Sequence, residues 1–263
     1  MRNNNNRALR HLIYLICSLL LLPPLNTAAD AAAEKPRILV FSKTSGWRHE
    51  SIIDGKKALL ELGQKEGFGV DISENAGLFT ENTLSSYDAV VFLSTTGSIF
   101  NSAQRKAFEN YIRSGGGFVG IHSATDTEYE WPWYNKLVGA YFAGHPEQQE
   151  AEKVVLDFGH PSTHFLKAEL DGNRWRRFDE WYNFKSINPD IEVLMNLDEK
   201  TYEGGENGEN HPIAWYHQYD GGRAFYTAGG HTSESYQDPL FVRHILGGIR
   251  YAIGEPGDAV SEN

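Results

Sequence analysis

The sequence predicts an α/β protein with an open, mainly parallel β-sheet and helices on both faces. Short, continuously apolar segments alternate with amphipathic segments in the first half of the chain, as buried parallel strands alternate with helical crossovers. Each apolar segment also ends in a polar loop. Strands of such sheets end in this way at the edge that faces a ligand crevice.

The first βαβ unit begins with a strand at residues 37–41, which leads into the polar loop 42–48. Ser51 is placed to cap the next helix, and Gly67 is placed to end it. A second strand follows at residues 70–72.

A third strand is predicted at residues 87–94. Asn101, with Gln104 three residues later, resembles a capping box and begins the next helix. The glycine run 115–117 ends that helix, and residues 118–121 form a fourth strand. Three successive β-then-α steps imply right-handed crossovers and therefore a parallel sheet.

After Asp126 the regular alternation stops, and we expect an irregular insertion packed near the crevice. Three late strands are predicted at residues 191–196, 213–217 and 223–228. A hairpin turn at residues 219–222 joins the last two, and Asp238 followed by Pro239 starts a final helix.

The two ends of the chain differ from this domain. Residues 1–33 combine a basic start, an apolar run too short for a comfortable membrane span, and small residues, as in an export signal. We therefore expect an exported protein with one domain at residues 34–254. A polar tail follows at residues 255–263.

Charge and cysteine content exclude several functions. The formal net charge is −11, and removal of residues 1–33, which hold three arginines and one aspartate, makes it −13. Such an acidic surface disfavours nucleic acids and anionic membranes as partners. The one cysteine, Cys17, lies in the predicted signal, so the mature chain has neither disulfides nor thiol catalysis.

Histidines stand where several predicted strands end. His122 occupies the apex of a strand-to-helix turn, where related folds place a serine or cysteine nucleophile. His49 and His231 follow two other strands, and the ends of parallel strands meet at one crevice. Further polar residues expected there are His145, His211, Asp126, Asp179 and Glu180.

Histidine with carboxylate suits zinc, manganese or another divalent metal, and it also suits acid–base catalysis near neutral pH. No pair of these residues has a compact metal-binding spacing, so the metal prediction depends on their convergence in the folded chain. Four other histidines are interpreted as structural: His160, His164, His217 and His244.

Other residues have both a functional and a structural interpretation. Arg223 suits a bidentate contact with a sugar oxygen or carboxylate, or an ion pair with a nearby acid. A wall that stacks on a sugar ring is predicted from Trp131, Trp133 and Trp181. Each of these tryptophans taken alone is also typical of core packing.

Several segments in a fixed order carry a resemblance to a known family. They are residues 46–49 (Gly-Trp-Arg-His), 120–126 (Gly-Ile-His-Ser-Ala-Thr-Asp), 137–142, 145–146, 179–182 (Asp-Glu-Trp-Tyr), 211–215, 222–226 and 229–231. Together they resemble the ThuA-like (trehalose utilisation) family, which has the flavodoxin-like, class I glutamine amidotransferase-like fold. The resemblance covers about residues 36 to 254.

The comparison with amidotransferases bears on the reaction. Their Cys–His–Glu triad has its cysteine at the turn that His122 occupies here. Their histidine is closely followed by a glutamate, and His231 with Glu234 resembles that arrangement with one residue more between them. The resemblance therefore implies the same crevice without glutamine amidotransferase activity.

The resemblance also implies a small carbohydrate substrate, either a disaccharide or a 3-keto glycoside produced by a partner sugar 3-dehydrogenase, and a periplasmic location rather than full secretion. A base would start an elimination beside the 3-keto group, and a metal or Arg223 would stabilise the enolate. The catalytic candidates are His122, His231, Glu180 and Asp126. The metal-ligand candidates are His122, His145 and His231. The substrate-binding candidates are His49, Arg223, Trp131, Trp181 and Tyr226.

Two other functions stay open at this point. A non-catalytic sugar-binding module would use the same histidines to bind hydroxyl groups and the aromatic rings to hold the sugar. A hydrolase with Ser123 as nucleophile is disfavoured, because Ser123 follows the apex of the turn instead of occupying it.

Overall fold

The computed structural model describes residues 35–255, so the predicted signal and the tail beyond residue 255 lie outside the described residues. The strands are β1 (Arg37–Phe41), β2 (Gly69–Ser73), β3 (Ala89–Leu93), β4 (Gly117–Ile121), β5 (Tyr141–Gly144), β6 (Gln149–Val155), β7 (Arg174–Asp179), β8 (Asn183–Lys185), β9 (Glu192–Leu197), β10 (Pro212–Tyr219) and β11 (Gly222–Thr227). The helices are α1 (Ile52–Glu66), α2 (Glu81–Leu84), α3 (Ser102–Arg113), α4 (Pro132–Val138), α5 (Leu166–Glu169) and α6 (Pro239–Ile253).

One nine-stranded sheet dominates the described part of the chain, in the order β2-β1-β3-β4-β11-β10-β9-β6-β7. The strands from β2 to β11 in this order pair in parallel. The strands beyond β11 pair antiparallel. The predicted α/β class with a mainly parallel sheet and crossover helices is therefore confirmed.

The segment predicted as an irregular insertion contains β5 to β8. β6 and β7 extend the main sheet, while β5 and β8 form a separate antiparallel pair. Exposed and buried residues alternate along β7, which puts Arg174, Arg176 and Phe178 on its solvent face. Because three of its six residues are arginines, β7 lacks the apolar run by which other strands were predicted. Its alternation of exposed and buried residues is nevertheless that of a half-buried strand.

The core lies on both faces of the parallel strands. β3 and β4 are buried along their whole length, as their apolar sequences predict. Helix α6 packs closely against the start of β4, because a Cβ atom at Gly117 would collide with the carbonyl of Ala252. Each fully buried large apolar side chain contributes about 1.5–3 kcal/mol to folding.

The helix ends follow the sequence with one exception. Asn101 and Gln104 form the predicted capping box, and Gly67 ends α1 in the left-handed conformation at φ 85°. Ser51 precedes α1 but does not cap it; its hydroxyl donates to the carbonyl of Gly230, 3.0 Å away. Within residues 35–255, no helix has the length and hydropathy needed to cross a membrane.

Candidate metal centre

Three histidines meet at the carboxyl edge of the parallel strands. His122 directly follows β4 with φ 52°, in the left-handed region that residues other than glycine seldom adopt. His49 lies in the loop after β1, and His231 lies in the loop after β11. Because these strands are neighbours or near neighbours in the sheet, their loops bring the three rings to one crevice.

The protonation of His122 is fixed by a backbone contact. Its Nδ1 lies 2.9 Å from the carbonyl oxygen of Ala228, which can only accept, so Nδ1 carries the proton and Nε2 keeps a free lone pair. That Nε2 is 3.2 Å from Nε2 of His49 and 3.2 Å from Nδ1 of His231. Three imidazole nitrogens therefore point at one volume.

Glu180 completes the group. Its Oε2 lies 3.0 Å from Nδ1 of His231 and 3.6 Å from Nε2 of His122, and its side chain is buried. The ligand atoms of His49, His122, Glu180 and His231 all lie within 4.8 Å of one another, so these residues could hold a metal ion. We call these four candidate metal ligands the metal-binding group.

Burial sets the charge of two of the rings. It lowers the pKa of His122 well below its ordinary value, and the neighbouring His49 and His231 lower it further. Burial, followed by His231, also lowers the pKa of His49 to about 4. Both rings are therefore neutral near pH 7, the form in which imidazole binds a metal.

The spacing of the donors matches a first-row divalent ion. Zinc–nitrogen bonds of about 2.0–2.1 Å in a tetrahedron place ligand atoms about 3.3 Å apart. The His122 nitrogen lies 3.2 Å from each of its two partner nitrogens, and the Glu180 oxygen lies 3.0 and 3.6 Å from two of them. Three imidazoles with one carboxylate also form a donor set typical of zinc or manganese.

A buried carboxylate holds two members of the group in place. Asp179 Oδ1 accepts from the backbone N–H groups of Glu180 and His231, each at 3.0 Å. Its Oδ2 accepts from the N–H of Gly230 and the hydroxyl of Ser235, each at 2.9 Å. Asp179 therefore joins the end of β7 to the loop after β11.

Tyr226 supports the turn at His122. Its hydroxyl donates to the carbonyl of His122 at 2.7 Å, and its ring is fully buried. It was expected to contact a substrate, but it lies beneath the crevice. Its contact instead stabilises the left-handed backbone from which the His122 ring projects.

Two other candidates border a cavity of about 400 Å³ above the metal-binding group. Asp126 is half-buried there, and its Oδ1 accepts from the hydroxyl of Tyr129 at 2.7 Å. Burial raises the pKa of Asp126 above its ordinary value. His145 is exposed, and its Nδ1 lies 3.3 Å from Oε1 of Glu180, whereas His122 and His231 lie near Oε2. It contacts the group without belonging to it.

Arg223, Trp131 and Trp181 do not line this cavity. Arg223 is the second residue of β11, at the opposite end from His231, and its Nε donates to the carbonyls of Tyr251 and Ala252 at the end of α6. Trp131 and Trp181 are buried, and their indole N–H groups donate to Glu109 and to the carbonyl of Gln149, respectively. The two tryptophans serve packing, because their indole N–H groups are paired inside the fold, and the Nε of Arg223 contacts the end of α6 instead of the crevice.

Trp47 is an exposed aromatic side chain of the crevice that was not among the predicted substrate-binding residues. Trp47 is 73% exposed and lines the cavity together with Phe142 and Tyr182. Its backbone carbonyl accepts from Thr96 Oγ1 at 2.8 Å, so the loop is anchored while the ring faces solvent. Its position two residues before His49, in the polar loop after the first strand, was the available signal.

Glu234 and His211 were also considered as crevice residues from the sequence, and neither belongs to the metal-binding group. Glu234 is exposed, and the carboxylate beside His231 is Glu180. His211 is buried outside the group, with Nε2 2.8 Å from the carbonyl of Tyr182 and Nδ1 2.8 Å from Glu199. It supports the segment that carries Tyr182, whose ring packs on His122.

Comparison with known proteins relates most of this chain to one family. The ThuA family, described as trehalose utilisation, matches residues 37–252. A ThuA-like protein from Bacteroides uniformis is 24% identical, with a TM-score of 0.70 over 85% of this chain and 94% of that one. A second, from Parabacteroides merdae, is 20% identical, with a TM-score of 0.68 over 84% of this chain and 90% of that one.

A β-galactosidase from Bacillus circulans shares the fold over 83% of this chain and 31% of its own, at 12% identity and a TM-score of 0.55. Similarity at this level of identity concerns the fold alone. No protein of curated function matches the sequence. The family match covers most of the chain, and the chain therefore belongs to the ThuA family, the trehalose utilisation family.

Proposed function

We propose that this protein is a metal-dependent enzyme that acts on a carbohydrate derivative, with a 3-keto glycoside as the best-fitting substrate class. The observation that carries the proposal is the convergence of three imidazoles and one carboxylate in a crevice with an exposed tryptophan. The family description, trehalose utilisation, supports a sugar as the ligand.

His49, His122, His231 and Glu180 are the proposed ligands of a zinc or manganese ion. Such an ion acts as a Lewis acid on a carbonyl oxygen and stabilises the negative charge that develops there. The Nδ1–H of His122 donates to the carbonyl of Ala228, so Nε2 of this ring presents its lone pair without a change of tautomer. The buried carboxylate of Glu180 offsets part of the charge of a divalent ion.

Trp47 is the proposed platform for the sugar. Its exposed ring offers a flat apolar surface to the C–H face of a pyranose, and Phe142 and Tyr182 add further apolar contact in the same cavity. This assignment replaces the predicted stacking wall of Trp131, Trp133 and Trp181. The rings of Trp131 and Trp181 are buried, and Trp133 donates its indole N–H to Asp220 and does not line the cavity.

Asp126 is the proposed general base. It lies in the same cavity, and burial raises its pKa toward the range in which a carboxylate exchanges protons efficiently near neutral pH. It would take the proton from the carbon beside the 3-keto group. The electron pair of that C–H bond forms a C=C bond as the glycosidic C–O bond breaks, and the departing oxygen takes up a proton.

His145 is the proposed proton donor to the departing oxygen. It lines the cavity, is exposed, and contacts Glu180 rather than the metal-binding group as a whole. Export to the periplasm and supply of the substrate by a sugar 3-dehydrogenase complete the proposal. The signal-like sequence of residues 1–33 supports export, and the family description, trehalose utilisation, supports the periplasm over full secretion. The dehydrogenase is needed because the glycoside must be oxidised before this elimination can occur.

The deciding experiment is elemental analysis of the purified protein and of its His122→Ala and His231→Ala variants. We expect near-stoichiometric zinc or manganese in the unchanged protein and none in the variants. His244→Ala, which removes a buried histidine outside the crevice, is the matched control and should keep the metal. Absence of metal from every sample after incubation with zinc and manganese would remove the metal from the mechanism.

Turnover separates an enzyme from a sugar-binding module. We expect release of free sugar from 3-keto trehalose and none from trehalose, and Asp126→Asn should retain the metal while losing this release. Comparable turnover of unoxidised trehalose would rule out the elimination. Binding of either sugar without release would favour the non-catalytic module.

A further inference from the structure

A second cavity, of about 630 Å³, lies beside the crevice that holds the metal-binding group. Gln148 lines both cavities. His231 lines the first and Thr232, the next residue, lines the second. Both volumes fall within the range of about 300–1,000 Å³ typical of small-molecule sites. The two cavities thus adjoin along Gln148 and the loop after β11.

The border between the cavities is fixed by a hydrogen bond. The side-chain amide of Gln148 lies 3.0 Å from Nε2 of His231, the nitrogen of that ring that faces away from Glu180. A ligand that extends from the metal-binding group past this amide therefore passes directly into the second cavity.

The β6–β7 ladder supplies the wall of the second cavity. Glu150 and Phe178 face each other across the two strands, and Arg176 pairs with Glu150 at 2.8 Å. Phe178 is 50% exposed, although it is a large apolar side chain. It precedes Glu180 by two residues, which corresponds to about 7 Å along an extended chain.

The chemistry of this wall suits a second sugar ring. An exposed aromatic face contacts the C–H surface of a pyranose, while carboxylate, guanidinium and hydroxyl groups around it bind hydroxyl groups in both the donor and acceptor sense. Phe178, Glu150, Arg176 and Thr232 provide this combination. No member of the metal-binding group lines this cavity, so it offers binding without the groups proposed for the reaction.

We propose that the second cavity binds the leaving ring of a two-ring glycoside whose reacting ring lies on Trp47 in the histidine crevice. This inference rests on the proposed function and adds to it a binding site for the leaving ring of the glycoside. Phe178 is then a specificity-determining residue, since a monosaccharide would fill the first cavity without reaching it.

Equilibrium binding of trehalose and of glucose to the zinc-loaded protein, measured by calorimetry, tests the inference. Trehalose, being unoxidised, serves as an unreactive two-ring probe. We expect it to bind about five- to tenfold more tightly than glucose, as one added aromatic–sugar contact allows. Phe178→Ala should abolish that difference and leave glucose binding unchanged. Leu156→Ala, at a similarly exposed apolar residue that lines a different cavity, should preserve it.

The outcomes separate this inference from the function on which it rests. If Trp47→Ala abolishes glucose binding while Phe178→Ala leaves trehalose binding unchanged, the second cavity is not a sugar site and the proposed function stands. If neither sugar binds the unchanged protein, this inference is overturned, while release of free sugar from 3-keto trehalose decides the proposed function separately.

Discussion

Two groups of histidines can be compared in this protein, one in the crevice at the carboxyl edge of the parallel strands and one in the layer between α6 and the sheet. In the crevice, His49, His122 and His231 direct ring nitrogens at one another and at Glu180. Under α6, His160 and His244 pack separately among aromatic rings such as Phe225.

The histidines under α6 are held by local contacts. Nδ1 of His160 lies 2.8 Å from the hydroxyl of Ser162, and Nδ1 of His244 donates to the carbonyl of the same residue at 2.9 Å. Burial lowers the pKa of His160 to about 4 and that of His244 to about 3. Burial and a lowered pKa thus occur in both regions. What distinguishes the crevice is that the free lone pairs converge on one another and on a carboxylate.

Removal of a converging ring tests this distinction most strongly. In His122→Asn, which keeps a residue that tolerates positive φ, we expect zinc affinity to fall by more than about 100-fold, beyond the range for residues that only support ligands. Competition with a chelator of known affinity measures the change. His244→Gln should bind zinc as the unchanged protein does, and an equal loss in both variants would contradict the comparison.

Asp179→Asn examines how the crevice is held together. An amide cannot accept all four hydrogen bonds that this carboxylate accepts, so the backbone at Glu180 and His231 should shift. We expect zinc affinity to fall about 10- to 100-fold. Asp157→Asn, at a carboxylate that accepts from the backbone of Gly159, is the control. Unchanged zinc affinity in Asp179→Asn would show that Asp179 does not position the ligands.

The buried His160 under α6 should make the free energy of unfolding depend on pH. The pKa of His160 is about 4 in the folded chain, below its ordinary value, so the unfolded chain binds the proton first. Its contribution to stability is complete above about pH 6.5 and is lost as pH falls toward 4, with about 2 kcal/mol lost by pH 5.

The free energy of unfolding, measured in urea at pH 7 and pH 5, checks this prediction. His160→Gln cannot titrate, so its free energy of unfolding should change less between the two pH values than that of the unchanged protein. Equal changes in the two proteins would mean that His160 is already protonated in the folded state at pH 5.

Arg223→Met carries the smallest expected effect. Its Nε contacts carbonyls at the end of α6, so we expect a loss of about 1 kcal/mol in the free energy of unfolding. Zinc and glucose binding should stay unchanged, because Arg223 lies near the start of β11 and the crevice lies beyond the other end of that strand. A clear fall in glucose affinity would restore the expectation that this guanidinium binds substrate.

The sequence was informative wherever local pattern and topology agree. Apolar segments predicted β1 and β4 closely, and the capping box predicted the start of α3. Because ends of parallel strands meet at one edge, the strand positions alone predicted that His49, His122 and His231 would lie near one another. Their distances match that prediction.

Other features depend on tertiary packing that has no local signal. Glu180 was expected in the crevice, but the strand that carries it there was not, because the arginine-rich sequence of β7 does not indicate a strand. The hydrogen bonds of Asp179 to Gly230 and His231 bring the end of β7 to the crevice. Trp131 and Trp181 were expected in the crevice because indole suits sugar faces, but the same ring suits a core. Their burial was decided by the helices and strands that cover them.

The metal-binding group draws its members from distant parts of the chain. His49 and His122 are 73 residues apart, and His122 and His231 are 109 residues apart. Such non-local contacts form late, because the intervening loops must close first. The proposed high-affinity zinc binding would therefore require the completed sheet. During refolding, zinc uptake should follow the last slow phase, and an ion captured there ties β1, β4, β7 and β11 into a single unit for unfolding.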